Sequence, residues 1–353
     1  MKTTLIKNTW ACRIALAGLS MAAFPVLADQ PATTAPAGAT TEAKPMMEEQ
    51  AADISESGTL AAPTEAAGAK TPQPAFSTGF VEQFNTGIAN GGTLSIARFN
   101  AGIKAPAQLT DALRLTTIFR FNLDNYDFRS EKSTWNGAWQ NIGTYTLGMI
   151  LQGKIDDQWS VYGGGVVRQS GEMEGTKFKD GITGGGLGGV TYKWSDTLSL
   201  GAGLGVMTQL EEHAAVLPLL SVDWKFADQW RFKVGLTDIG TAGYGAELIY
   251  SPWEQWDFAL GFQHHRSRFR VEGQNEGTPS STSNGIGQEE ASNLYLSTTW
   301  HACPNTELVG YLGVTTGGNI RLENEHGTQN GFIGESSEYN TAAILGVKAV
   351  VRF

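Results

Sequence analysis

The stretch Asp228–Leu236, DQWRFKVGL, reads as a tight turn running into a strand. Asp suits the turn because its short side chain caps nearby backbone groups. From Trp230 onward the pattern has period two. Trp230, Phe232, Val234 and Leu236 share one face, and Arg231, Lys233, Gly235 and Thr237 share the other. Successive side chains of an extended strand point to opposite sides, so this strand has an apolar face and a polar, small-residue face. A soluble sandwich turns such an apolar face inward, whereas a membrane barrel turns it outward.

The turn recurs, and its recurrence separates the two cases. The chain reads DALRL from Asp111, DQWSV from Asp157, DTLSL from Asp196 and EQWDF from Glu254, with a looser copy, NTELV, from Asn305. Alternating stretches of about ten residues accompany these turns, as in Leu113–Leu123, Tyr145–Gln152 and Thr197–Val206, a length that suits a membrane barrel strand. Seven tryptophans, Trp159, Trp194, Trp224, Trp230, Trp253, Trp256 and Trp300, stand within a few residues of the turns. A soluble fold has no reason to collect indoles at one end of its hairpins. A bilayer interface does, because the ring is amphipathic and settles at headgroup level. The other connections, such as those within Asp124–Trp139, Gln169–Asp180, Glu272–Gln288 and Glu323–Glu338, read as longer and more polar. Short turns at one end and long loops at the other give the asymmetry of outer-membrane barrels, short turns periplasmic.

The six short turns join twelve strands, and the runs Phe76–Gly87 and Asn340–Phe353 bring the expected total to fourteen. Twelve is the alternative if Phe76–Gly87, whose alternation is poor, stays outside the wall. The expected fold is all-β: a closed antiparallel up-and-down transmembrane β-barrel over residues 76–353. With charged residues at 17% and 44 glycines against 12 prolines, the composition excludes a disordered chain.

Two segments precede the barrel. Lys2, Lys7 and Arg13 followed by the apolar run Ile14–Leu27 form a signal peptide, 1–28, with cleavage after Ala28. The run is shorter than the ~18 residues of a spanning helix. Residues 29–75 are rich in Ala, Pro, Thr and Glu and read as a disordered periplasmic spacer. Cleavage would remove Cys12 and leave Cys303, so no intrachain disulfide is expected.

The last strand places Leu345, Val347, Ala349, Val351 and Phe353 on one face. A terminal Phe after alternating apolar residues resembles the targeting strand of Gram-negative outer-membrane β-barrels. The resemblance implies that the barrel-assembly machinery reads Phe353, and that outer-membrane lipid and lipopolysaccharide surround the chain. In size and turn spacing the chain is similar to an uncharacterised outer-membrane barrel family. It does not resemble the fourteen-stranded long-chain fatty-acid transporters throughout, because the spacer does not look like their N-terminal plug.

The net charge is −10, unevenly spread. Alternation turns inward nine basic residues: Arg98, Lys104, Arg114, Arg120, Lys225, Arg231, Lys233, Lys348 and Arg352. Only Asp223, Glu247, Asp257 and Glu307 are clear inward acids. On the lipid face near the midplane each Arg or Lys would cost about 2–4 kcal/mol. Two readings follow: a net basic pore lining biased toward anions, or a salt-bridged interior that stabilises the wall. Glu172, Glu174, Glu211, Glu212, Glu289, Glu290, Glu323, Glu325, Glu335 and Glu338 are assigned to outer loops. There they hold divalent cations beside lipopolysaccharide or, as is commoner, form a solvated surface.

Other constellations carry less. Gly184–Gly189 lacks the following helix of a phosphate loop, since Val190, Tyr192 and Trp194 continue at strand spacing. Glycine there leaves room inside the barrel and eases curvature. His265 and Ser267 share a strand face and resemble the His-x-Ser pair of an outer-membrane lipid A deacylase, without its following Asn and in a longer chain. Arg266, Arg268 and Arg270 share a face with Phe262 and could meet lipopolysaccharide phosphates above the lipid band. No metal site, cofactor or nucleic-acid partner is expected. The favoured function is a passive pore or small-solute transporter. The alternatives are a structural or surface-interaction barrel with a filled lumen and, more remotely, a lipid-modifying enzyme.

Overall fold

Period-two alternation becomes one continuous antiparallel ladder in the computed structural model. It describes residues 73–353 apart from 90, 130–134, 136–137, 240–241, 273–284 and 324–336. The expected signal peptide, 1–28, nearly all of the expected spacer, 29–75, and Glu325 and Glu335 lie outside the described residues. The strands are β1 Ala75–Gly87, β2 Thr93–Thr110, β3 Leu113–Arg129, β4 Asn141–Lys154, β5 Trp159–Glu172, β6 Ile182–Lys193, β7 Leu198–Gln209, β8 Glu212–Ala227, β9 Trp230–Asp238, β10 Ala242–Trp253, β11 Trp256–Val271, β12 Gly285–Cys303, β13 Thr306–Glu323, β14 Ser337–Tyr339 and β15 Ala342–Arg352. β14 and β15 both pair with β13 and follow one another along it, so the wall has fourteen staves. The first segment therefore joins the wall, and the twelve-stranded alternative falls away. β1 closes on β15, from Ala75 opposite Arg352 to Gln83 opposite Ile344. Closure removes the open sheet edge, whose unpaired groups would each cost several kcal/mol in hydrocarbon.

All six short turns form where the motif places them, but two of their caps sit one residue earlier. Asp156, not Asp157, accepts the backbone N–H groups of Gln158 and Trp159. Ser195, not Asp196, accepts those of Thr197 and Leu198. Asp157 and Asp196 instead pair with Lys154 and Lys193, which hold both carboxyls below their ordinary range. At the opposite end, two connections are tight rather than long. Leu210–Glu211 joins β7 to β8, with Glu211 at φ 55°, and residues 239–241 join β9 to β10. Cys12, on whose loss the expectation of no intrachain bridge rests, lies outside the described residues.

The outer surface is apolar between two rims. Leu147, Leu204, Leu220, Leu296, Leu312 and Val347 are all exposed on it. The seven tryptophans stand at the short-turn rim. Trp256 stacks on Trp300 across the ladder with ring centres 6.0 Å apart, and Trp159 and Trp230 lie 4.6 Å from Tyr192 and Tyr250. Inward tyrosines lie over glycines directly opposite them, as Tyr295 does over Gly261 and Tyr311 over Gly346.

A Cβ at Gly261 would come 2.2 Å from the Tyr295 ring, whereas one at Gly310 would meet nothing within 4 Å. Gly261→Val is expected to lower stability by about 1–3 kcal/mol through overpacking. Gly310→Ala should stay near the parent value. Urea unfolding in detergent, read by the gel shift of folded against unfolded barrel, checks both.

Candidate functional site

Alternation turns the predicted pore-lining residues inward, and most meet an opposite charge there. Arg98 lies 3.2 Å from Asp124 and 2.9 Å from Glu289. Arg231 makes a two-pronged pair with Asp223, and Arg352 does the same with Glu307. Asp257 meets His301 at 2.9 Å, and Glu247 accepts a hydrogen bond from the Tyr295 hydroxyl at 2.8 Å. Arg114 donates to Gln152. Arg120 and Lys348 both reach Asp238 at 2.8 Å, although they come from β3 and β15. Lys104 and Lys225 are exposed near the short-turn rim. Lys233 lies in register between Asp223 of β8 and Glu247 of β10, whose carboxylates attract it.

Several of these partners were not legible in the sequence. Asp124, expected to open a loop, is buried inside β3, which continues to Arg129. Glu289 and Glu323, expected in outer loops, are buried within β12 and β13. Glu290 also belongs to β12, facing His264 at 3.4 Å, while Glu211 and Glu212 stand at the β7–β8 turn as counter-ions. Strand boundaries explain the misassignment: charges at the end of a long strand look like loop residues until register is known.

Beside an apolar cluster of Ile150, Tyr162, Val166, Leu187, Met207, Ala215, Leu217 and Leu219 on the inward faces of β4 to β8, two further features fill the barrel interior. At the long-loop end, Trp139 packs edge-on against Tyr126, Phe128, Trp135 and Phe269, with ring centres 5.2–5.8 Å apart. Ile88, Leu94, Ile96 and Ile320 complete this dry cluster. Just below it, Glu289 joins Arg98, His265 and the Tyr339 hydroxyl. The second feature is the end of the β9–β10 hairpin, which folds into the lumen. Ile239 packs with Val81, Tyr295, Tyr311 and Ile344 from β1, β12, β13 and β15. Gln263 donates to the Thr237 carbonyl at 3.0 Å, fixing the hairpin from β11. Below the hairpin end lies a cavity of about 390 Å³ bordered by Lys233, Thr237, Glu247, Glu307, Tyr311 and Lys348.

The arginines expected to face lipopolysaccharide are placed otherwise. Arg266, Arg268 and Arg270 are only 2–3% exposed. Arg268 holds Glu323 at 2.6 Å, Glu212 at 3.2 Å and the Leu210 carbonyl at 3.0 Å. Arg270 holds Glu211 at 2.7 Å and the Asp180 carbonyl at 3.0 Å. Their face of β11 is covered because β10 stops short, and β11 leans onto β5 at Gly171 and onto the β7–β8 turn. His265 and Ser267 share an inward face, as expected. Both His265 ring nitrogens are engaged elsewhere, by Glu289 at 3.2 Å and Asn293 at 3.4 Å. Among the described residues no group of three or more His, Cys, Asp or Glu could hold a metal.

A family model described as Domain of unknown function (DUF6268) matches residues 121–326. The chain belongs to that family. The match runs from mid-β3 past the end of β13 and takes in the tucked hairpin. No curated protein matches the chain. Among solved structures it is similar to an outer membrane channel from Pseudomonas putida F1, at 15% identity over 83% of this chain and 99% of that one, with a TM-score of 0.42. It is also similar to a Pseudomonas aeruginosa FadL homologue, at 9% identity over 79% and 90%, with a TM-score of 0.44.

Asp238 is the shared counter-ion of Arg120 and Lys348, with only 21% of its side chain exposed. Asp238→Ala leaves two cations facing one another. It is expected to cost on the order of 3 kcal/mol and to loosen the hairpin end. The expected readout is a lower unfolding midpoint together with faster proteolysis between β9 and β10 in detergent.

Proposed function

We propose that this chain is an outer-membrane channel for small solutes whose pathway is shut at the long-loop end in the state described. The observation that carries the reading is the cavity of about 390 Å³ beside the tucked hairpin. Its border is polar and carries both signs, with Lys233 and Lys348 beside Asp238, Glu247 and Glu307. Passage requires the Trp139 cluster to part, since its rings occupy the interior above. A border that carries both signs gives no strong preference by charge. Export through a cleaved leader, 1–28, and recognition of Phe353 by the assembly machinery belong to the same reading.

A second reading, a barrel with a filled lumen acting through its outer surface, is favoured by the aromatic cluster itself. Planar bilayers separate the two. The parent chain should show rare, discrete conductance steps, and Trp139→Ala should raise their frequency severalfold. A sealed membrane over many insertions of both proteins would overturn the channel reading in favour of the filled barrel.

A further inference from the structure

The wall has one break in its ladder. β8 pairs with β7 up to Glu212 opposite Gln209. On its other side it pairs with β9 only between Ala227–Trp230 and Val222–Val234. The half of β8 from Glu212 to Ser221 therefore has a neighbour on one side alone. β9 has not frayed, because it remains paired with β10 up to Asp238 opposite Ala242. The hairpin leaves the wall as a unit. It leaves at Gly235, the residue directly after the last β8 pair, whose φ of +142° is one that side-chain-bearing residues rarely adopt.

The break has a frame. Its lower end is the Val222–Val234 pair. Its upper end is the clamp between Arg266, Arg268 and Arg270 on β11 and the Leu210–Glu212 turn. The tucked hairpin lies behind it. Across it, the Tyr244 hydroxyl of β10 donates to the Leu220 carbonyl of β8. Trp224 marks the interfacial rim. Leu220 and Val216, four and eight residues further along β8, lie roughly 10 and 20 Å above it for a tilted strand rising ~3.3 Å per residue. The break thus stands at the depth of hydrocarbon. A lipid-exposed sheet edge is not tolerated there, and unpaired backbone survives only where it lines a filled cavity. The cavity beside the hairpin is bordered by residues of the break itself: Ser221, Gly235, Leu236 and Thr237. Pro218, which has no N–H to donate, also falls in the one-sided half of β8, where a strand accepts proline.

We propose that this break is a lateral portal between the lumen and the bilayer for small amphipathic solutes, with Tyr244 as its latch. The ligand class follows from the two sides of the opening. Val216, Pro218 and Leu220 face the lipid, which suits an apolar body. Ser221, Thr237, Lys233 and Glu247 face the cavity, which suits a polar head. The portal rests on the channel reading above and gives that channel a second exit.

Two measurements test it. Amide exchange of the chain in lipid nanodiscs reads the ladder. The portal-facing amides between residues 213 and 221 should exchange at least tenfold faster than those of residues 222–224. Protection along all of β8 would mean a zipped wall and would sink the portal. Uptake by expressing cells reads passage. The probe is 8-anilinonaphthalene-1-sulfonate, followed by its fluorescence in lipid, against the polar β-lactam nitrocefin, followed by periplasmic hydrolysis. Tyr244→Phe keeps the ring, loses the latch, and should speed the sulfonate two- to fivefold over nitrocefin. Gly235→Val should slow it relative to nitrocefin. If both probes respond in parallel to both variants, solutes leave by the periplasmic end; the portal is wrong and the channel stands. If the sulfonate alone enters and responds, the portal stands and passage of polar solutes does not. If neither probe enters faster than in cells lacking the chain, both readings fall.

Discussion

Every stave of this barrel answers to the requirement that backbone N–H and C=O groups in hydrocarbon find partners within the protein. That requirement closes β1 on β15 and sets the register through which each side chain faces lipid or lumen. It also gives the one-sided half of β8 its meaning. In water an unpaired edge is unremarkable, since solvent satisfies it. At bilayer depth it demands a substitute, and the barrel supplies several: the Tyr244 hydroxyl, the clamp of arginines, and the polar cavity behind.

The interior is held by two kinds of force. The Trp139 cluster is dry and depends on area and ring geometry, with edge-on contacts that add about 0.5–1.5 kcal/mol per pair beyond burial. The β9–β10 hairpin is held by direction: Asp238 is gripped from two distant strands, and Thr237 is fixed by Gln263. A dry cluster gives way gradually as side chains rotate. A charge with two counter-ions can leave only by setting two cations facing one another, so the hairpin end is held where it is. In the channel reading, that difference assigns solute entry to the aromatic end and makes the hairpin a fixed wall of the cavity.

Much of the fold was legible before any coordinates. Alternation placed Arg98, Arg120, Glu247 and Lys348 on the inward face, and the indoles located the rim, because both signals depend only on strand period and the polarity of the membrane. The candidate site was far less legible. Asp238 meets Arg120 and Lys348, respectively 118 and 110 residues away along the chain. Such partners are set by which staves face each other across the lumen, and that depends on strand count and shear, not on local pattern. The tucked hairpin was hidden for a different reason. Trp230–Leu236 alternates as regularly as any stave, and Gly235 looks like the other inward glycines. Only its φ reveals that the strand departs there.

The arginines of β11 join these threads. Arg266, Arg268 and Arg270 carry the parity of the lipid-facing Phe262, which is why sequence alone set them toward the outer surface. Facing lipid they would be costly, and facing water they would be ordinary. They do neither, because the β9–β10 hairpin leaves the wall below them and lets the β7–β8 turn approach. Glu211, Glu212 and the Leu210 carbonyl then occupy the side of β11 where β10 would have continued. Charge pairs replace strand pairs across this gap. A ladder is indifferent to side chains, but a clamp of ion pairs requires the right ones, so the departure of one short hairpin explains both the break in the wall and the three consecutive outward-parity arginines above it.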